Sequence, residues 1–329
     1  MKIVIDTMGG DNGSNATVGG ILKFLESHKD VEIIAVGDEK ELEPLKDKCK
    51  IIASSSILPM ECSVMQAMRD KQSSMYKAID ALLNENADAI VSCGSTGAFL
   101  SLNTLKVKKI DGVLRPALIT PFPTKIKGKY TVLLDIGAST ENKPEELAQF
   151  AKMGQAYCKA VYDNPHPNFY IVSNGAEEGK GTPLTKEAYQ ICKDYEGFKG
   201  YIEGRYIFNG DVDVAVFDGF TGNVFLKGCE GLAKTMSSMI KEAFTSSISS
   251  KIGYLFAKKG FASFKETMDY KKVGGALLIG VNKIAVKAHG NSTPDSFKCA
   301  IEIAYKLAKN DAVNQIKKEF VQWKTSKNY

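Results

Sequence analysis

A chain of 329 residues that is 44% apolar and 25% charged has ordinary globular proportions, with length for one large α/β domain or two moderate ones. Its net charge of +5 is too mild to mark a nucleic-acid binder, yet it suits an acidic partner or an anionic surface. Seven scattered cysteines without a CxxC pair argue for a reducing compartment over a disulfide framework, and three histidines without clustered cysteines argue against a structural zinc.

Strand and helix signals alternate along the chain, the pattern of a mostly parallel sheet covered by helices on both faces. A strand ending at Asp6 is followed by a helix over 17–25, a strand over 31–36, a charged helix over 39–48 and a short strand over 50–53. A long helix is expected over 63–84, broken near Gln72-Ser73-Ser74, then a strand over 89–93 and a helix over 96–106. The strand 117–120 runs through a Pro/Lys loop into a second strand, 130–135, and the helix 144–161 starts on a proline suited to a first turn. The loop 163–167 is the best boundary between sub-halves 1–162 and 168–329 of a single α/β domain. Beyond it the pattern predicts a strand over 170–172, a helix over 184–195, strands at 201–202 and 214–217, and a long helix over 223–244. A strand pair over 276–281 and 283–287 and a helix over 295–310 close the chain. No segment approaches the roughly 18 uninterrupted apolar residues of a membrane span, and Lys2 followed by a strand does not read as a signal peptide. A cytoplasmic protein, at most peripheral to a membrane, is expected.

Residues 248–268 differ from the rest. Ile248, Ile252, Leu255 and Phe256 recur at helical spacing, Phe261 and Phe264 extend the apolar side, and Lys251, Lys258, Lys259 and Lys265 add charge. Such a helix lies in a membrane interface or packs its stripe on protein. Taken alone, the pattern favours packing.

Five apolar runs end in glycine-rich polar turns: Met8-Gly9-Gly10-Asp11, Gly94-Ser95-Thr96-Gly97, Gly137-Ala138-Ser139, Asn174-Gly175 and Gly219-Phe220-Thr221-Gly222-Asn223. Glycine past a strand lets the backbone turn tightly and lets a ligand approach the main chain. In open α/β sheets the ligand crevice lies outside the carboxyl ends of the strands. One broad site for a ligand bearing phosphate or carbonyl is therefore expected. Helix N-termini would supply backbone donors, and Arg69, Arg115 and Lys180 charge-assisted bonds. His289, at a strand end before Gly290, is placed to donate to a phosphate or act as a base, or is structural. Asp6, Asp11, Asp135 and Asp218 would orient these groups or, by default, cap helices. Cys93 reads as a small buried residue, and HExxH, Walker A, GxSxG and GxGxxG motifs are absent.

Asp6-Thr7-Met8-Gly9-Gly10-Asp11 resembles the D-x-MGGD opening of the phosphate acyltransferase (PlsX) family of bacterial phospholipid synthesis. Ser92-Cys93-Gly94-Ser95-Thr96-Gly97-Ala98 is similar to its SAGNTGA turn, and Arg115-Pro116-Ala117-Leu118 to RPAL. Leu134-Asp135-Ile136-Gly137-Ala138 resembles LDxGA, Gln149 to Gly154 resembles QFAxMG, and Glu177 to Gly181 resembles EExKG. Asp218 to Val224 matches DGFTGNV, and Gly274-Gly275-Ala276 with His289-Gly290 resembles the GGA and AHG pair. Ser14, Ser95, Ser139 and Ala176 depart from the family's Pro, Asn, Asn and acid, and the basic stretch from Arg69 to Ser74 is shorter.

The resemblance implies a three-layer α/β/α sandwich, Rossmann-like and similar to phosphotransacetylases and isocitrate dehydrogenase-type enzymes. It implies attack of inorganic phosphate on a fatty acyl–acyl carrier protein thioester, giving acyl phosphate for a membrane glycerol-3-phosphate acyltransferase. A homodimer, no cofactor, no metal, no nucleic acid and membrane contact through residues 248–268 go with it. Carried onto this sequence, Lys180, His289 and Asp218 become the expected catalytic residues. Gly9, Gly10, Asp11, Arg69, Gly94, Ser95, Thr96, Gly97, Arg115, Gly137, Ser139, Gly219, Thr221, Gly222 and Asn223 become the expected substrate and phosphate contacts.

Overall fold

The apolar runs pair into one sheet in the computed structural model, which describes residues 1–268 and 274–326. Strands β1 (Lys2–Asp6), β2 (Glu32–Gly37), β3 (Lys50–Ala53) and β4 (Ala89–Ser92) alternate with helices α1 (Gly13–Ser27), α2 (Val64–Arg69), α3 (Ser74–Asn84) and α4 (Thr96–Leu102). The hairpin β5 (Ala117–Pro123) and β6 (Tyr130–Leu134) leads to α5 (Pro144–Tyr162), β7 (Phe169–Val172), α6 (Pro183–Cys192), β8 (Phe198–Ile202) and β9 (Val214–Val216). Two long helices, α7 (Gly219–Thr245) and α8 (Ile248–Met268), precede the hairpin β10 (Gly275–Ile279) and β11 (Ile284–Ala288), then α9 (Pro294–Lys309) and α10 (Ala312–Ser326).

The eleven strands lie in the order β3-β2-β1-β4-β11-β10-β5-β6-β9-β7-β8. Pairing is parallel except at β11–β10, β10–β5 and β5–β6. Three reversals in succession mean that β1, β2, β4 and β11 run opposite to β6, β7, β8 and β9. The carboxyl ends of the two parallel groups therefore open at opposite edges. The five glycine-rich turns accordingly do not all lie at one edge of the sheet. The loop 163–167 also does not divide the sheet, because β11 returns to pair with β4.

Strand alternation sends apolar side chains to two faces. Ile3, Ile5, Val91, Ile119, Val132 and Val286 pack under α1, α5 and α9, through Phe24, Phe150 and Phe297. On the other face Val4, Ile90, Leu118, Leu133, Ala276 and Ala285 pack with Ile79 and Leu82 of α3 and Phe99 of α4. The result is an α/β/α sandwich with a mostly parallel sheet.

Residues 39–48 are turns with a single short 3-10 turn at Glu43–Leu45, not the expected helix. Asp38 Oδ1 accepts from the Lys40 and Glu41 backbone N–H groups, and Pro44 leaves no N–H for a helical ladder. Helix α10 was not anticipated from its sequence; its Ile316 and Phe320 are buried in the first face's core.

Helix α7 leaves the body of the protein. Its buried residues are Gly219 and Gly222, in its first turn. With 27 residues it extends ~40 Å. Leu232 and Met239 on α7 and Ile248, Leu255 and Phe256 on α8 are exposed, Phe256 by 88%. The expected stripe of residues 248–268 is thus helical, and its described apolar residues Ile248, Ile252, Leu255 and Phe256 are exposed and not packed on this chain's core; the side chains of Lys259, Phe261, Phe264 and Lys265 lie outside the described residues. No described helix is long and apolar enough to cross a membrane.

Candidate active site

Between α4 and α7 a cleft of about 480 Å³ opens on the second face of the sheet. Leu118, Thr120 and Phe122, alternate residues of β5, form its floor with Ala276 of β10 and Lys287 of β11. Thr96, Gly97 and Leu100 wall one side, and Asn223, Leu226, Lys227 and Glu230 of α7 wall the other. The turn from Ile136 to Ala138 and the rim residues His289 and Gly290 complete it. A largely apolar pocket with a few convergent polar groups is the usual form of a small-molecule site.

The turn after β6 is held by Asp135. Its carboxylate accepts from the backbone N–H of Leu118 (3.0 Å), Gly137 (3.1 Å), Ala138 (2.8 Å) and Ser139 (3.0 Å), and from Ser139 Oγ (2.7 Å). Burial raises its pKa, and these hydrogen bonds oppose the rise. Ser139 Oγ also reaches Asn142 Oδ1, which accepts from Gly219 N–H at 3.0 Å. Asn142 Nδ2 then donates to Glu146, whose other oxygen takes Arg115 Nε at 3.0 Å. The first turn of α7 rests directly on this turn: a Cβ on Gly222 would lie 1.9 Å from the Asp135 carbonyl oxygen, so only glycine permits the approach.

The turns after β1, β4 and β11 nest backbone against backbone. A Cβ on Gly9 would fall 2.5 Å from Gly94 Cα, and one on Gly10, at φ +85°, would fall 2.7 Å from the Gly290 carbonyl oxygen. The Asp11 N–H donates to that same oxygen at 2.7 Å. Beneath these turns, strand register aligns Asp6 with Ser92 and Ser92 with Lys287. Ser92 Oγ donates to Asp6 Oδ2 at 2.6 Å. Burial raises the pKa of Asp6, against hydrogen bonds from Ser74 and Ser92. Burial lowers the Lys287 amine to about 8, with Cys93, Asp6 and Asp11 acting in the opposite direction. Cys93 is buried, its thiol pushed up to about 12, and its Sγ donates to the Gly9 carbonyl, as suits a small core residue.

Of the residues expected from sequence, Thr96, Gly97, Gly137, Asn223 and His289 line the cleft. His289 Nε2 lies 3.9 Å from Glu230 Oε1, whose carboxyl is raised by burial. The others lie elsewhere. Arg115 is paired with Glu146, and Ser139 is committed to Asp135 and Asn142. Asp218 caps α7, its Oδ1 accepting from Thr221 N–H at 2.9 Å, so the capping default applies. Ser95 caps α4 and donates to the Met60 carbonyl at 2.8 Å. Gly9, Gly10, Gly94, Gly219 and Gly222 serve close backbone approach, and Asp11 and Thr221 are exposed beside them. Lys180, on the loop after β7, and Arg69, at the end of α2, are exposed and outside the cleft wall. Lys287, like Lys227 and Glu230 of α7, lines the cleft without having been expected from the sequence. Its signal is a single lysine in the apolar run Ile284-Ala285-Val286, directly before Ala288-His289-Gly290. Among the described residues no cluster of His, Cys, Asp or Glu could hold a metal ion.

A family model described as fatty acid synthesis protein matches residues 1–315. A phosphate acyltransferase of Helicobacter hepaticus is 40% identical, with 97% of each chain covered. One from Campylobacter jejuni is 42% identical over 92% of each chain. A phosphotransacetylase from Streptococcus pyogenes shares the fold, with a TM-score of 0.60 at 16% identity and 94% of each chain covered. The family and the α/β fold expected from the motifs both hold: the chain belongs to the fatty acid synthesis protein family of phosphate acyltransferases, enzymes of acyl transfer with phosphate.

Proposed function

We propose that the protein converts fatty acyl–acyl carrier protein and inorganic phosphate to acyl phosphate and free carrier, the entry step of phospholipid synthesis. The observation that carries this reading is the cleft itself. It sets the apolar side chains of Leu118, Phe122, Leu226 and Ala276 beside polar side chains of Thr96, Thr120, Asn223, Lys227 and His289. The first can hold the start of an acyl chain, and the second a phosphate next to the thioester carbonyl.

Phosphate is itself an oxygen nucleophile, so no covalent enzyme intermediate is needed. A phosphate oxygen bonds to the carbonyl carbon, the carbonyl π pair moves to oxygen, and its return expels the carrier thiolate. The protein's task is to hold two reactants in one geometry and stabilise charge that develops on oxygen. His289 and Asn223 are the polar groups proposed to face that oxygen.

The net charge of +5 suits an acidic carrier. The exposed apolar residues of α8, beside Lys251 and Lys258, suit an anionic membrane surface, and α7 and α8 also offer a face to a second copy in a homodimer. Replacing both Leu255 and Phe256 by serine should lower partition onto anionic vesicles by roughly tenfold or more. Unchanged sedimentation with vesicles would remove the membrane role. The deciding experiment incubates the protein with palmitoyl–acyl carrier protein, with and without phosphate. Phosphate-dependent release of carrier thiol is expected; release only from acyl-CoA would make the donor wrong.

A further inference from the structure

We infer that Lys287 is the cation that holds the phosphate dianion in the cleft. The inference rests on the reading of the cleft as the phosphate-dependent acyl-transfer site.

The backbone fixes where this lysine sits. β11 pairs with β4 so that Lys287 stands beside Ser92, and with β10 so that it stands opposite Ala276. Ala276 and Leu118 belong to the cleft floor, so alternation places Lys287 on that same face. Its side chain is nearly buried, with the residue 7% exposed, yet it lines the cleft. An ammonium carries three donors. Among the described residues one acceptor is present, the Ala288 carbonyl oxygen at 2.5 Å. Among the described residues no carboxylate is ion-paired with it, and the Asp6 carboxylate beside it already accepts from Ser92.

A buried cation with spare donors is costly unless something compensates it. Asp6 and Asp11 compensate in part through space, and the amine nevertheless falls to about 8. A dianion in the cleft would satisfy the remaining donors and keep the ammonium charged. Anion binding and protonation of Lys287 are then linked, with full affinity below pH 8 and loss above it. The groups that face this site are Asp6 on β1, Asp11 in the following turn, Cys93 after β4, His289 after β11, and Lys227 and Glu230 on α7.

The test measures sulfate and phosphate binding by calorimetry without any acyl donor, from about pH 6.5 to 9.5. Sulfate has no proton to lose in that range, so its pH dependence reports the protein. Wild-type affinity for sulfate should be flat at low pH and fall about tenfold per unit above pH 8. The break should survive His289→Gln. Lys287→Met should weaken both anions by roughly 10- to 100-fold, the worth of hydrogen bonds to a charged group. In turnover it should raise KM for phosphate more than it lowers kcat. A Lys287→Met protein with wild-type anion affinity overturns the inference. If that variant does not fold, Lys287→Gln is measured in its place, with the same loss expected and wild-type affinity again overturning it. Lys287-dependent anion binding without turnover of acyl–acyl carrier protein supports the inference and sinks the donor assignment instead.

Discussion

Asp6 and Asp135 are both buried carboxylates next to glycine-rich turns, and their surroundings differ in one respect. Asp135 is met by four backbone N–H groups and a hydroxyl, and its network continues through Asn142 and Glu146 to Arg115. Around Asp6 the row continues to Lys287, an ammonium with a single acceptor among the described residues, Ala288 O. The first turn is polar and closed; the second leaves hydrogen-bonding capacity facing a cleft. Polar density in a turn therefore says little about a site. Unfilled capacity says more.

The largest test of this contrast is Asp135→Ala. Five donors lose their acceptor, and we expect a loss of at least about 3 kcal/mol in urea unfolding. A mild effect would mean that the turn rearranges and that the closed network is not architectural. Ser92→Ala removes two bonds, its donation to the buried Asp6 carboxylate and its acceptance from the Gly94 N–H, and should cost about 1–3 kcal/mol. A loss as large as that of Asp135→Ala would erase the distinction between the two turns. Arg115→Ala should cost about 1 kcal/mol, since Arg115 is half exposed while the buried Glu146 keeps its bonds from Asn142 Nδ2 and the Lys143 N–H, and should leave KM for phosphate unchanged. A raised KM would return Arg115 to the phosphate site. The smallest effect on stability is expected for Lys180→Ala, within about 0.5 kcal/mol, as for exposed positions generally, and its turnover tells whether the loop after β7 reaches the cleft. A large loss there would show that the loop after β7 closes on the cleft during reaction.

Much of the architecture was legible because burial on both faces leaves a local mark. The runs Ile3-Val4-Ile5 and Ala89-Ile90-Val91 are continuous and apolar, as buried parallel strands require, and each became a strand. The break near Gln72-Ser73-Ser74 was legible too, since Ser73 caps α3 through Tyr76 N–H. Charge periodicity misled over 39–48, where Asp38 and Pro44 favour turns. The site was legible only in part. Thr96, Asn223 and His289, each next to a glycine, line the cleft, whereas Arg115, before Pro116, and Ser139, two residues after Gly137, are committed to neighbours in the fold.

By itself the sequence determined the strands, the glycine turns and the motifs from MGGD to DGFTGNV that mark the family. These depend on neighbours a few residues apart, which is the range over which periodicity and turn chemistry operate. The tertiary structure alone decided the rest. Three antiparallel pairings reverse the strand direction in mid-sheet and move the cleft from a strand edge to a sheet face. The pairing of β11 with β4 turns an unremarkable lysine into a buried cation beside Ser92. Such pairings join segments distant along the chain, and their register follows from the packing of the whole sheet rather than from the local run of residues.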